Sequence, residues 1–93
     1  MHNYELVVII HPDLDEEAIN QALDKIKDWI TKAGGSIENV DNWGKRRLSY
    51  EIQKQNEGVY YLFTASIPTS AVAELERNLT ILEPVMRHLI VAK

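Results

Sequence analysis

Cysteine is absent from the 93-residue chain, which excludes disulfide bonds and thiolate chemistry. Glycine numbers only 4, and none of the four opens a phosphate-cradling loop. The pair Gly34-Gly35 follows a helical stretch instead of starting one, as a helix cap does. No run of about 18 apolar residues exists, so no helix can cross a membrane. The start, Met1-His2-Asn3-Tyr4-Glu5, lacks the basic region and apolar block of a secretory signal. The expected location is therefore cytoplasmic. The three histidines, His2, His11 and His88, fall near different strand ends and never at the close spacing of a helical metal motif, so no metal site is expected.

What remains is the composition of a soluble globular protein, 45% hydrophobic and 26% charged. The length suits a single domain over 1–93. A domain of this size buries roughly 60% of its unfolded surface, enough for one modest core. Net charge is −4, which argues against gripping nucleic acid through overall charge. Its distribution is more informative. Asp13, Asp15, Glu16 and Glu17 crowd the start of a helical pattern, where the helix dipole favours carboxylates. Lys45, Arg46 and Arg47 form a basic triplet with no comparable local reason.

Tyr4 to His11 reads as a strand through its β-branched run Leu6-Val7-Val8-Ile9-Ile10, ended by Pro12-Asp13. Apolar residues on both its faces suit a central strand, covered on both sides or covered on one and used for contact on the other. Residues 14–33 read as a helix with Asp13 or Asp15 as its cap. Ala18, Ala22, Ile26, Ile30 and Ala33, flanked by Ile19, Leu23 and Trp29, form its apolar stripe. Ser36 to Gln53 reads as one long polar edge strand, or two halves about a bend at Asn42-Trp43-Gly44. A single alternation places Val40, Asn42, Gly44, Arg46, Leu48, Tyr50 and Ile52 on one side of it. Gln53 to Gly58 is a polar turn, and Val59 to Ile67 a central strand. Pro68-Thr69-Ser70 caps a second helix over about 71–81, with Val72, Leu75 and Leu79 on one face. Val85 to Ala92, after Pro84, is the last strand.

The order β-α-β-β-α-β gives an α+β, ferredoxin-like fold. Two interlocking crossovers build a four-stranded antiparallel sheet with two helices on one face, the second and fourth strands lying at the edges. The opposite sheet face has no helix to cover it and must meet solvent, RNA or another protein.

Catalysis needs a positioned nucleophile, base or metal, and no such set is visible. Ser49, Thr64 and Ser66 have no evident histidine partner. The loop His11-Pro12-Asp13-Leu14-Asp15 would repel the phosphate that an acylphosphatase-type enzyme of this fold must hold. Glu57-Gly58-Val59-Tyr60-Tyr61-Leu62-Phe63 is faintly similar to the aromatic strand of an RNA-recognition motif. However, Tyr61 and Phe63 share a face with Val59, Ala65 and Ile67, which reads as the helix-covered core. No cofactor and no small-molecule substrate are expected.

The basic triplet is the better candidate, because arginine forks match phosphate oxygens bidentately. Alternation sends Arg46 to one side of the strand and Lys45 and Arg47 to the other. By spacing alone the triplet suits a strand edge defended by charge better than a binding site. Arg87, His88 and Lys93 add modest positive charge on and after the last strand.

Gly44-Lys45-Arg46-Arg47-Leu48-Ser49-Tyr50 resembles the Gly-x-Arg-Arg-Leu-Ala-Tyr segment of the bacterial small-subunit ribosomal protein six family. Tyr4-Glu5, Gly58-Val59-Tyr60-Tyr61, Asn78-Leu79 and Val85-Met86-Arg87-His88-Leu89-Ile90-Val91 fall where that family has similar residues, so the likeness runs nearly end to end. The resemblance implies a non-enzymatic role: binding small-subunit ribosomal RNA together with ribosomal protein eighteen. It implies RNA-facing positions at Tyr4, Arg46, Arg47 and Arg87, which Lys45 and His88 adjoin. Leu48 and Tyr50, on Arg46's side, are expected as packing or partner contacts. His2-Asn3 stands where the family is often basic, and the family's C-terminal extension is not expected beyond Lys93. Two other classes fit the fold: a small-molecule-binding regulatory domain and a self-associating dimer stacked through the open sheet face.

Overall fold

Strand β1 (His2–Ile10) is extended, and its alternate residues leave it in opposite directions. The computed structural model describes residues 2–52 and 55–93. Leu6, Val8 and Ile10 point to one face and are buried there. Val7 and Ile9 point to the other, where Ile9 is also buried.

Helix α1 (Glu16–Lys32) starts at Asp15, whose side chain accepts the Ala18 N–H at 2.8 Å. Of the two candidate caps, Asp15 performs the role. Ala22, Leu23, Ile26 and Ile30 are its buried face. Ala33, expected in the stripe, is instead the exposed C-cap, because the helix ends one residue earlier. The Gly34 N–H bonds to the Thr31 carbonyl and the Gly35 N–H to the Ile30 carbonyl at 2.9 Å, closing the helix end in a Schellman arrangement.

Strand β2 (Ser36–Ile52) pairs antiparallel with β3 (Gln55–Ile67), from Ser36 opposite Ser66 to Ile52 opposite Gln55. The polar stretch expected as a turn is therefore mostly strand: Gln55 to Gly58 belong to β3, and Gln53 and Lys54 lie outside the described residues. Polar side chains suit a strand wherever both its faces meet water, and they mislead a hydrophobicity reading there. A 3-10 turn, Thr69–Ala71, leads into α2 (Val72–Ile81). No side-chain hydrogen bond caps either, so Thr69 and Ser70 do not act as expected. Strand β4 (Val85–Ala92) completes the fold.

The sheet order is β2-β3-β1-β4, all pairs antiparallel, with β2 and β4 at the edges. Both helices bury their apolar faces against Leu6, Val8 and Ile10 of β1 and Tyr61, Phe63, Ala65 and Ile67 of β3. Each Leu, Val, Ile or Phe side chain so withdrawn from water contributes about 1.5–3 kcal/mol. A second, smaller core of Ile9, Leu48 and Met86, flanked by Ile52 and Tyr60, lies on the sheet face without helices. That face is thus partly self-covered.

Candidate nucleic-acid interface

The β2–β3 ladder outruns the rest of the sheet. Ile10, the last residue of β1, pairs with Val59, whereas β2 continues to pair with Gly58, Glu57 and Gln55. Residues 46–52 and 55–58 therefore form a two-stranded arm beyond the sheet's body. Two-stranded ribbons twist strongly, which lets the arm lean over the face without helices. Leu48 reaches Ile9 and Met86 of the body by this route and is only 8% exposed.

The side of each β2 residue is set by a bulge. Asn42 opposes Tyr61 and Gly44 opposes Tyr60, so Trp43 is an extra residue with no partner on β3. Gly44 has φ 80° and its N–H donates to Asn42 Oδ1 at 2.8 Å. A positive φ is cheap only for glycine, so Gly44 fixes the bulge. The bulge breaks the single alternation expected along this strand. Val40 opposes Phe63 and packs on the main core, whereas Arg46 and Leu48 lie on the other face.

The basic triplet rides on this arm. Lys45, Arg46 and Arg47 are all exposed, opposite Val59, Gly58 and Glu57 respectively. Arg46 Nε donates to the Trp43 carbonyl at 3.3 Å, and its guanidinium lies 5.7 Å from the Trp43 ring centre. The ion pair among the described residues joins Lys32 to Asp28 at 2.9 Å, far along the chain on α1. Glu57 stands opposite Arg47, but among the described residues no carboxylate lies within ion-pair distance of the triplet.

Arg87 enters the same region from the opposite edge. It stands opposite Ile9 on the face without helices, and its guanidinium lies 5.6 Å from the Tyr50 ring centre. Tyr50 is 56% exposed. Leu48 and Tyr50, grouped together by sequence, thus differ: Leu48 is packing, and Tyr50 is open surface. His88 opposes Val8 and is half-buried. With Val7, Ile9, Arg87 and Leu89 it lines a shallow hollow beside β4. Leu89 and Val91, exposed on the same face as Arg87, extend an apolar strip along β4.

Tyr4 is elsewhere. It pairs with Ala65 and Ala92 near the far end of β1, half-buried against the main core. Five residues of strand, about 17 Å, separate it from Ile9 and hence from the level of Arg87. The fold therefore gathers Arg46, Arg47 and Arg87 at one end of the sheet and leaves Tyr4 beside Asn3 and Lys93, whose backbones are joined at 2.9 Å. Trp43 is the residue that sequence reasoning passed over. Its signal was the aromatic at a glycine-bearing bend within a polar strand.

No cluster of three or more metal-ligating side chains occurs among the described residues. The chemistry available is recognition: cationic forks for phosphate, exposed aromatic rings for stacking and an apolar strip for protein contact.

Comparison with known proteins gives a consistent answer. The family model described as Ribosomal protein S6 matches residues 3–92. The small ribosomal subunit protein bS6 of Clostridium acetobutylicum is 47% identical over 92 residues, covering 99% of this chain and 97% of that one. The corresponding protein of Alkaliphilus oremlandii is 50% identical over 91 residues, covering 98% and 96%. The crystal structure of 30S ribosomal protein S6 from Thermotoga maritima superposes with a TM-score of 0.93 at 28% identity, covering 99% of this chain and 87% of that one. The C-terminal domain of the MgtC protein from Mycobacterium tuberculosis also superposes, with a TM-score of 0.68 at 10% identity, over 100% of this chain and 88% of that one. That likeness extends to the fold alone.

Proposed function

The chain belongs to the ribosomal protein S6 family, and from that premise we propose that it binds small-subunit ribosomal RNA through the arginine-bearing β2 arm, docked jointly with ribosomal protein eighteen. As a member of that family it is a structural protein of the small ribosomal subunit, in the cytoplasm, and not an enzyme.

The observation that carries the RNA reading is the arm itself. It presents three adjacent cations, exposed and without carboxylate partners among the described residues, in a protein of net charge −4. A strand edge defended by charge needs a lysine or two. It does not need two arginines, one of them aligned over an exposed indole. Arg87 adds a fourth cation at the same end of the sheet, on the face that Arg46 shares.

The net negative charge supports a shared rather than a solitary grip. A local patch suffices for phosphate contact when a basic companion supplies the rest of the attraction, and the acidic remainder of the surface steers that companion in. The apolar strip of Leu89 and Val91, with Tyr50 and the hollow beside β4, offers the companion a surface to cover.

The test is a filter-binding titration of small-subunit ribosomal RNA with the chain alone, with ribosomal protein eighteen alone and with both. Weak binding by the single chain and tight binding by the pair is the expected result. Tight, specific binding by this chain alone contradicts joint docking. A chain that adds nothing to its companion contradicts the RNA reading.

A further inference from the structure

We propose that Trp43 and Arg46 together form a stacking site for one unpaired RNA base, with Lys45 and Arg47, farther along the strand, holding the adjoining phosphates. This deepens the RNA reading above and rests on it.

Trp43 is 43% exposed although it is a large apolar side chain in the middle of a strand. The bulge accounts for its position: as the extra residue it has no cross-strand neighbour to pack on. The bulge is also held firmly, by the Asn42 side chain and the positive φ of Gly44. A side chain thus displayed on a fixed backbone is prearranged for contact.

Arg46 is fixed beside it. Its Nε is bonded to the Trp43 carbonyl and its guanidinium lies over the indole, which leaves the terminal nitrogens free for an incoming phosphate. A guanidinium already stacked on an aromatic ring gives up little freedom when it binds. Beyond its two chain neighbours, a Cβ built on Gly44 would meet no atom within 4 Å, so no other part of the chain covers the backbone there.

The ligand chemistry follows. An indole offers a flat apolar face, and every nucleobase has a π-face to match it. In an RNA duplex those faces are covered by neighbouring bases, so only a base in a loop, bulge or single strand can use the site. Cations that follow an aromatic ring along one strand suit a base and the phosphates next to it better than an apolar peptide, which would leave Lys45 and Arg47 without partners.

The test uses the full chain carrying Trp29→Phe, which leaves Trp43 as the sole tryptophan. Its emission is followed at low salt while oligouridylate, an abasic oligomer of the same length or a blunt RNA duplex is added. Quenching by oligouridylate, and little change with the other two, is expected. In the chain with Trp29 intact, Trp43→Ala weakens oligouridylate binding by roughly five- to a hundredfold, read by anisotropy of labelled RNA. Binding of the abasic oligomer is unchanged in that variant. Oligouridylate that binds without altering Trp43 emission, or equally well to Trp43→Ala, overturns the stacking site. If that same binding is lost in Arg46→Ala/Arg47→Ala, the RNA reading survives the failure. Absence of binding to any of the three RNAs, with or without ribosomal protein eighteen, overturns both.

Discussion

The Arg87 guanidinium of β4 rests 5.6 Å from the ring centre of Tyr50 on β2, joining the two opposite edges of the sheet. Two intervening strands separate these edges, so the contact exists only because the arm leans across the face without helices. The small core beneath it, Leu48 with Ile9 and Met86, makes the same crossing with apolar atoms.

This clasp is expected to be a modest contributor to stability. Both side chains are exposed, and an exposed cation–π contact is worth about 0.5–1 kcal/mol. In urea denaturation, Arg87→Ala and Tyr50→Ala should each cost about that much. The double variant should cost less than their sum, with the shortfall reporting the coupling. Strict additivity would mean that the two side chains do not interact in solution.

Gly58 marks where the arm joins the body most tightly. A Cβ there would collide with Ile9 Cγ2, within the second core. Gly58→Ala should therefore destabilise the protein by about 1–3 kcal/mol through overpacking. The same substitution in an Ile9→Ala background should cost less, because the clashing methyl is gone. Equal penalties in the two backgrounds would place the cause in the backbone rather than in this contact.

Tyr61 links the main core to alkaline stability. Burial raises its phenol pKa above the ordinary value of 10.0, and the nearby Glu16 carboxylate raises it further. Below about pH 10 the phenol is neutral in both folded and unfolded chains, so it adds no pH dependence. Above that, the unfolded chain loses its proton first, and stability falls with rising pH until the folded phenol also ionises. Tyr61→Phe should flatten the decline of the urea midpoint above about pH 10 and leave its slope at neutral pH unchanged. An unaltered alkaline slope would show that Tyr61 ionises alike in both states.

The sheet order was legible in the sequence because burial writes itself into composition. β1 and β3 carry continuous apolar runs and β2 is largely polar, which separates centre from that edge, whereas apolar β4 is placed at the other edge by the interlocking crossovers. The arm was not legible. Apart from Leu48 and Gly58 its described residues are mostly polar and solvated, and Gln55 to Gly58 look like turn although they pair as strand. Nor could alternation alone place Arg46, because the bulge at Asn42–Gly44 inserts one residue and exchanges the faces beyond it. For the site, the basic triplet stood out in the sequence. Arg87 was a candidate too, but that it meets the arm, and that Trp43 joins them, follows only from the register of β4 and the bulge.

The central claim is that the arginines of the arm contact RNA and contribute little to the fold. It is tested most directly by expressing Arg46→Ala/Arg47→Ala in cells and measuring its occupancy in small ribosomal subunits on sucrose gradients, with the melting temperature of the purified variant taken alongside. Occupancy should fall well below that of the unsubstituted chain, with a melting temperature within a few degrees of it, as for surface substitutions of about 0.5 kcal/mol or less. Full occupancy, or loss of occupancy accompanied by a large drop in melting temperature, would contradict the claim and assign the arginines a structural role.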